Sequence, residues 1–145
     1  MTTLGRFCGI DYGRKRIGLA ISDPGGVIAA PLATLEVRGS LDDQVRQITG
    51  ATADEEVAAW VVGLPLNMDG TEGPQAKLTR TFAARLAALT GQPVHLADER
   101  LSSLQADQYL GMAELTRRKH KARRDRVAAQ IILQAFLDAR RADEP

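Results

Sequence analysis

Near its start the chain carries a short apolar run, Phe7-Cys8-Gly9-Ile10, that ends in the acid Asp11. After a turn at Gly13, Ile17, Leu19 and Ile21 alternate with the small residues Gly18, Ala20 and Ser22. A short apolar run and a period of two both signal strands, so the first is predicted over residues 6 to 11 and the second, half-buried, over "RIGLAIS". Asp23-Pro24-Gly25-Gly26 is a turn signal. A third strand follows in "VIAAPLATLEV", where Pro31, having no N–H to give a ladder, predicts an edge position or a bulge. Three sequential strands joined by tight turns are most simply an antiparallel meander.

The period then lengthens. Ser40 can cap a helix whose apolar residues Leu41, Val45 and Ile48 recur at helical spacing. "AAWVVGLP" reads as a central strand with Trp60 in the core. The turn-rich loop "GLPLNMDGTEGP" leads to a helix from about Gln75 to Thr90, with Leu78, Phe82, Leu86 and Leu89 on one face and Gly91 and Pro93 at its end. "VHLADE" is a fifth strand. Ser102 with Gln105 forms a capping-box pattern for a helix to about Leu110, and a last helix is predicted from near Arg124 to about Arg141. The order β-β-β-α-β-α-β-α-α predicts an α/β fold: a five-stranded mixed sheet, three antiparallel strands then two parallel ones, with helices on both faces.

The length of 145 residues suits a single domain with a real core, spanning 1–145. A hydrophobic fraction of 44% beside 26% charged residues is that of a water-soluble globular chain, and no stretch reaches the ~20 apolar residues of a membrane span. Arg6 and Asp11 interrupt any secretory signal core, so a cytoplasmic location is expected. Cys8, the lone cysteine, reads as a small buried hydrophobe.

Net charge is only +1, but its distribution is uneven. Residues 1 to 110 carry 10 Lys and Arg against 13 Asp and Glu, whereas residues 111 to 145 carry 9 against 5. Seven of the eleven residues in "TRRKHKARRDR", 116 to 126, are basic.

Four acids stand where chemistry is concentrated: Asp11 ending the first strand, Asp98 and Glu99 ending the fifth, and Asp125 opening the last helix. At 100° per residue, Arg126, Gln130, Gln134 and Asp138 share a polar stripe, while Asp125 falls among Ala128, Ala129, Ile132 and Phe136, the side that should pack on the sheet. An acid on a buried face is costly unless it is paired or holds a metal. Asp98 and Glu99 point to opposite faces of a strand, so one of the two can join Asp11 and Asp125. Three converging carboxylates repel one another, and a hard, oxygen-preferring cation, Mg²⁺ or Mn²⁺, resolves that conflict. His95 and His120 lack the soft partners a zinc site needs. Carboxylate-bound ions beside a basic segment point to phosphate chemistry, for which two ions are the recurring solution. Cations then hold the polyanion: Arg14, Lys15 and Arg16 at the first hairpin, Arg100, and Arg117, Arg118, Lys119, Lys121, Arg123 and Arg124 in the basic segment. Asn67 sits in a glycine-containing loop suited to close approach by substrate. With 4% aromatic residues, recognition by backbone and shape is favoured over base stacking.

Four blocks in order, "GIDYGRKRIGLAISDP", "VVGLPLNMDGTEG", "LADERLSS" and "RRDRVAAQIILQAFLD", resemble the YqgF family, also called RuvX, of the RNase H-like superfamily that includes the junction resolvase RuvC. The likeness runs from about residue 6 to 141. It implies an RNase H-like fold, a divalent-metal nuclease site at Asp11, Glu99 and Asp125, and a choice of Glu99 over Asp98. It also implies a substrate of structured RNA, in maturation of the 5′ end of 16S rRNA, or of branched DNA, in Holliday junction resolution. A resolvase making two symmetric cuts would work as a homodimer. A nucleic-acid-binding module without catalysis is the contrasting reading. "IDYG" before a hairpin also resembles the first phosphate loop of actin-like and sugar kinases, which need two such lobes.

Overall fold

The computed structural model describes residues 5–100 and 121–142, with side chains in the last helix described from residue 127 onward. The strands are β1 (Arg6–Tyr12), β2 (Arg16–Ser22), β3 (Ala29–Glu36), β4 (Val57–Leu64) and β5 (Val94–Asp98); the helices are α1 (Leu41–Ala51), α2 (Pro74–Thr90) and α3 (Lys121–Ala142). They form one sheet in the order β3-β2-β1-β4-β5. β1 pairs antiparallel with β2, and β2 with β3, whereas β4 runs parallel to β1 and β5 parallel to β4. This is the mixed α/β sheet the element order predicts. The capping-box pattern at Ser102, like the helix to Leu110, lies outside the described residues.

Strand alternation sorts the core into two layers. Cys8 and Ile10 of β1, Ile17 and Leu19 of β2, and Trp60 and Val62 of β4 pack with Val45 and Ile48 of α1 and Phe82, Ala83 and Leu86 of α2. On the other face, Ala20, Ala29 and Val61 pack with Ala129, Ile132, Leu133 and Leu137 of α3, flanked by Phe7, Ala97 and Phe136. Cys8 is wholly buried, and burial pushes its thiol up, as suits a small hydrophobe.

β2 differs from the half-buried strand its alternation predicts. Gly18, Ala20 and Ser22 are buried as well, because α3 covers that face. Small residues there let a helix approach closely. The same device operates at Gly9, where an added Cβ would stand 2.7 Å from Leu133 Cβ and 3.0 Å from the Ala129 carbonyl oxygen.

The caps follow local chemistry. The Ser40 hydroxyl accepts from the Asp43 N–H while the Asp43 carboxylate accepts from the Ser40 N–H, a reciprocal capping box for α1. Gly91 ends α2 in the left-handed conformation at φ 66°. α2 buries Ala76, Thr79, Phe82, Ala83 and Leu86, so its core face is rotated from the predicted one and Leu78 and Leu89 are exposed. Pro31 meets both of its expectations: β3 is an edge strand, and the ladder shifts register opposite Pro31 between Leu19 and Ala20.

α3 starts at Lys121, earlier than the predicted Arg124, and its predicted polar stripe is not turned to water alone. Gln134 Oε1 accepts from the Ala29 N–H at 2.9 Å and its Nε2 donates to the Val27 carbonyl at 2.9 Å, while Gln130 Nε2 donates to the Ala29 carbonyl at 3.1 Å. Two glutamines thus satisfy the outer backbone groups at the start of the edge strand.

Candidate active site

Alternation along β1 puts Phe7, Gly9 and Asp11 on the α3 side, and alternation along β5 does the same for His95 and Ala97, while Glu99, directly past the strand end, reaches that face over Gly63 beside Ile132. Asp11 and Glu99 therefore reach the same end of the same face, although β4 lies between their strands. What closes the gap is Gly63 of β4. A Cβ at Gly63 would stand 2.7 Å from Glu99 Oε1, 2.9 Å from Glu99 Cγ and 2.7 Å from Ile132 Cδ1. With no side chain at that position, Glu99 lies across β4 and hydrogen-bonds to Asp11.

The electrostatics follow from that contact. Burial first, then the Asp11 charge and the hydrogen bond to Asp11, and last the Asp98 charge, push the Glu99 carboxyl up to about 7. When Glu99 carries a proton, its O–H can donate to Asp11. Two carboxyls that resist a second negative charge form an all-oxygen donor pair, which suits a hard divalent cation and disfavours a soft one. Among the described residues no group of three His, Cys, Asp or Glu side chains comes close enough to hold a metal ion. Asp125 lies on α3 two turns before Ile132, the residue that touches the Gly63 position, and its side chain is outside the described residues. On the same helix Ala129 and Ile132 are buried on the sheet.

The hairpin tip beside Asp11 is fixed by a polar relay. Tyr12 stacks on Phe82 with ring centroids 4.1 Å apart and donates its hydroxyl to Gln44 Oε1 at 2.6 Å. Gln75, in the first turn of α2, donates Nε2 to the Tyr12 carbonyl at 3.1 Å and accepts from Arg14 Nε at 3.2 Å. Arg14, Lys15 and Arg16 are exposed. Gln75 has no counterpart in the sequence reading, nor has the gap at Gly63, which looks in sequence like any glycine near a strand end.

Two other predicted contact residues are engaged within the protein. Asn67 Nδ2 donates to Thr71 Oγ1 at 2.9 Å, bracing the loop between β4 and α2. Arg100 pairs with Asp98 and donates to the Met68 carbonyl. Arg117, Arg118 and Lys119 lie outside the described residues, as do the side chains of Lys121, Arg123 and Arg124. The aromatic residues of this face, Phe7, His95 and Phe136, cluster at the opposite end of β1 from Asp11, with the Arg140 guanidinium 4.8 Å over the Phe7 ring.

Comparison with known proteins gives this arrangement its context. A protein of Symbiobacterium thermophilum named "Putative pre-16S rRNA nuclease" is 43% identical over 140 residues, covering 97% of this chain and 96% of its own. One of Anaeromyxobacter dehalogenans with the same name is 47% identical over 135 residues, covering 93% and 98%. Among solved structures, the RuvC of T. thermophilus in complex with Holliday junction substrate aligns over 94% of this chain and 96% of its own with a TM-score of 0.58 at 16% identity. The yeast mitochondrial Holliday junction resolvase Ydc2 aligns over 98% and 84% with a TM-score of 0.51 at 12% identity. These likenesses identify the fold as RNase H-like. The model of the family described as "RuvX: Holliday junction resolvase" matches residues 5–139, and the chain belongs to that family.

Proposed function

We propose that the protein is a divalent-metal-dependent endonuclease acting on structured nucleic acid, with precursor 16S rRNA, at its 5′ end, as the substrate. The observation that carries this reading is the meeting of Asp11 and Glu99 across Gly63. The names of the relatives, at 43% and 47% identity, support the choice of RNA and a place in the cytoplasm, where ribosomes are built.

Asp11, Glu99 and Asp125 would hold Mg²⁺ or Mn²⁺, in one or two sites. Ions bound there would supply an activated water and offset charge on the scissile phosphate and the leaving oxygen. The chain's own part is to hold two carboxyls in contact across the space left by Gly63. The hairpin cations Arg14, Lys15 and Arg16 would meet phosphates, with Gln75 holding the first of them in place. The basic segment, including Arg117, Arg118, Lys119, Lys121, Arg123 and Arg124, would extend that contact.

The test sets precursor rRNA, a four-way DNA junction and plain duplex at equal concentration against the wild type and Asp11→Asn with Mg²⁺ or Mn²⁺. Cleavage of the precursor, lost in the variant while binding persists, is the expected result. No cleavage of any substrate, or equal cleavage without Asp11, overturns the reading. The description of the matching family favours a second reading, Holliday junction resolution. Preferential, paired cuts in the junction by a homodimer would establish it instead.

A further inference from the structure

Asp98 precedes Glu99 and points to the other side of the strand, where it is closed by Arg100. The Arg100 N–H donates to Asp98 Oδ1 at 2.9 Å, Nε lies 3.1 Å from both carboxylate oxygens, and Nη2 donates to Oδ2 at 2.7 Å. The third guanidinium nitrogen, Nη1, donates to the Met68 carbonyl at 3.2 Å, in the loop that joins β4 to α2. All three nitrogens are thus engaged by the protein, two of them in a fork on a carboxylate, a geometry that a lysine cannot reproduce.

The loop gripped at Met68 is itself a braced unit. The Asn67 N–H donates to the Thr71 carbonyl and the Gly70 N–H to the Asn67 carbonyl, both at 2.8 Å. Asp69 Oδ1 accepts from the Thr71 N–H at 3.0 Å and from its hydroxyl at 2.6 Å. Gly70 sits at φ 89°, and a Cβ there would stand 3.6 Å from Arg100 Nη1. The loop follows directly on the strand end that carries Gly63, the position Glu99 overlies. Arg100 therefore ties a rigid loop to the residue next to Glu99.

We propose that Arg100 is a positioning residue that, through Asp98 and the Met68 carbonyl, holds the β4–α2 loop and the Glu99 backbone as one unit, rather than a cation that meets substrate phosphate. The proposal rests on the reading of Glu99 as a site carboxylate. Its two alternatives differ in kind: a phosphate contact acts on binding and on salt dependence, whereas a positioning tie acts on turnover.

The experiment compares the wild type, Asp11→Asn, Arg100→Ala, Arg100→Lys and Asp98→Asn. Single-substrate kinetics are taken on precursor rRNA over a salt series, and amide exchange at Asn67, Gly70 and Thr71 is followed without substrate. Positioning predicts a kcat about tenfold lower in Arg100→Ala, with KM within about twofold and an unchanged salt slope. It also predicts that Asp98→Asn, which leaves the cation in place, shows the same loss, that Arg100→Lys restores little of it, and that loop amides exchange about tenfold faster in both Arg100→Ala and Asp98→Asn. A raised KM with a salt slope shallower by about one in Arg100→Ala, and wild-type behaviour in Asp98→Asn, overturns the proposal in favour of a phosphate contact. Loop exchange unchanged in both variants overturns it too. Absence of cleavage by the wild type is failure of the nuclease reading, seen without any Arg100 variant, and leaves the exchange measurement to decide the tie.

Discussion

Glu99 Oε1 lies 2.7 Å from where a Cβ on Gly63 would be, so the acid of one strand occupies space vacated by its neighbour. Gly63→Ala should push the Glu99 carboxyl off Asp11, since the atoms that must yield are Glu99 Oε1 and Cγ and the Ile132 Cδ1 methyl, all on side chains. Cleavage should fall about tenfold or more from a displacement near one ångström. Stability should fall by only about 1 kcal/mol, because flexible side chains can move. Steady-state kinetics with a urea melt on the same sample checks both.

Gly9→Ala should reverse that balance. Its Cβ would meet the Ala129 carbonyl oxygen and Leu133 Cβ, atoms on or next to the helix backbone, so α3 itself must shift. A loss of about 2–3 kcal/mol is expected, at the upper end for overpacking. A urea midpoint close to that of the wild type would show that α3 does not press on β1 as described.

The Glu99 carboxyl makes the metal-free protein sensitive to pH near neutrality. Its folded value of about 7 lies above the ordinary 4.5, so its contribution to stability is full below 4.5 and is lost as pH rises through about 7. The loss should be on the order of 1–2 kcal/mol after allowance for partial exposure. Melts in chelator should show the midpoint falling from about pH 5 to about pH 8 in the wild type and much less in Glu99→Gln. Mg²⁺ or Mn²⁺ should recover the wild-type midpoint at the alkaline end. Asp23, Asp42, Asp43, Asp69 and Glu72, held below their ordinary values by backbone N–H groups, arginines and, for Asp69, first of all the Thr71 hydroxyl, act in the opposite sense and only at more acid pH.

Gln75→Ala should release Arg14 and leave the Tyr12 carbonyl without its donor. If Arg14 meets phosphate, KM for RNA should rise about threefold to tenfold while kcat stays within about twofold. Arg14→Ala should in addition make the salt dependence of binding shallower by about one. Filter binding across a salt series separates the two variants.

Much of the fold was legible because strand parity and turn chemistry are local. Phe7 to Asp11, Ile17 to Ser22 and the Ser40 cap each carry their signal within a few residues. The α2 face was misjudged for the same reason: Leu78 and Leu89 fit a helical stripe with Phe82 and Leu86, but only the partner layer decides which stripe is covered, and Ala76, Thr79 and Ala83 fill it instead. Gln130 and Gln134 read in sequence only as part of a polar stripe, because sequence does not reveal that an edge strand lies beside it. At the site, parity placed Asp11 and set Asp98 against Glu99. The gap at Gly63 and the bridge at Gln75 depend on which strands become neighbours, and spacing along the chain carries no trace of that.

The clasp of Gln130 and Gln134 on β3 has a further consequence. Apolar packing of a helix on a sheet tolerates some rolling about the helix axis, because methyl groups slide past one another at little cost. Directed bonds to the two backbone groups of Ala29 do not. They index α3 in both roll and axial position, as a key fixes a wheel on its shaft, at the edge of the sheet reached through β3. The aim of Ile132, whose Cδ1 fills the space over Gly63, is thereby set by the two amides that flank it.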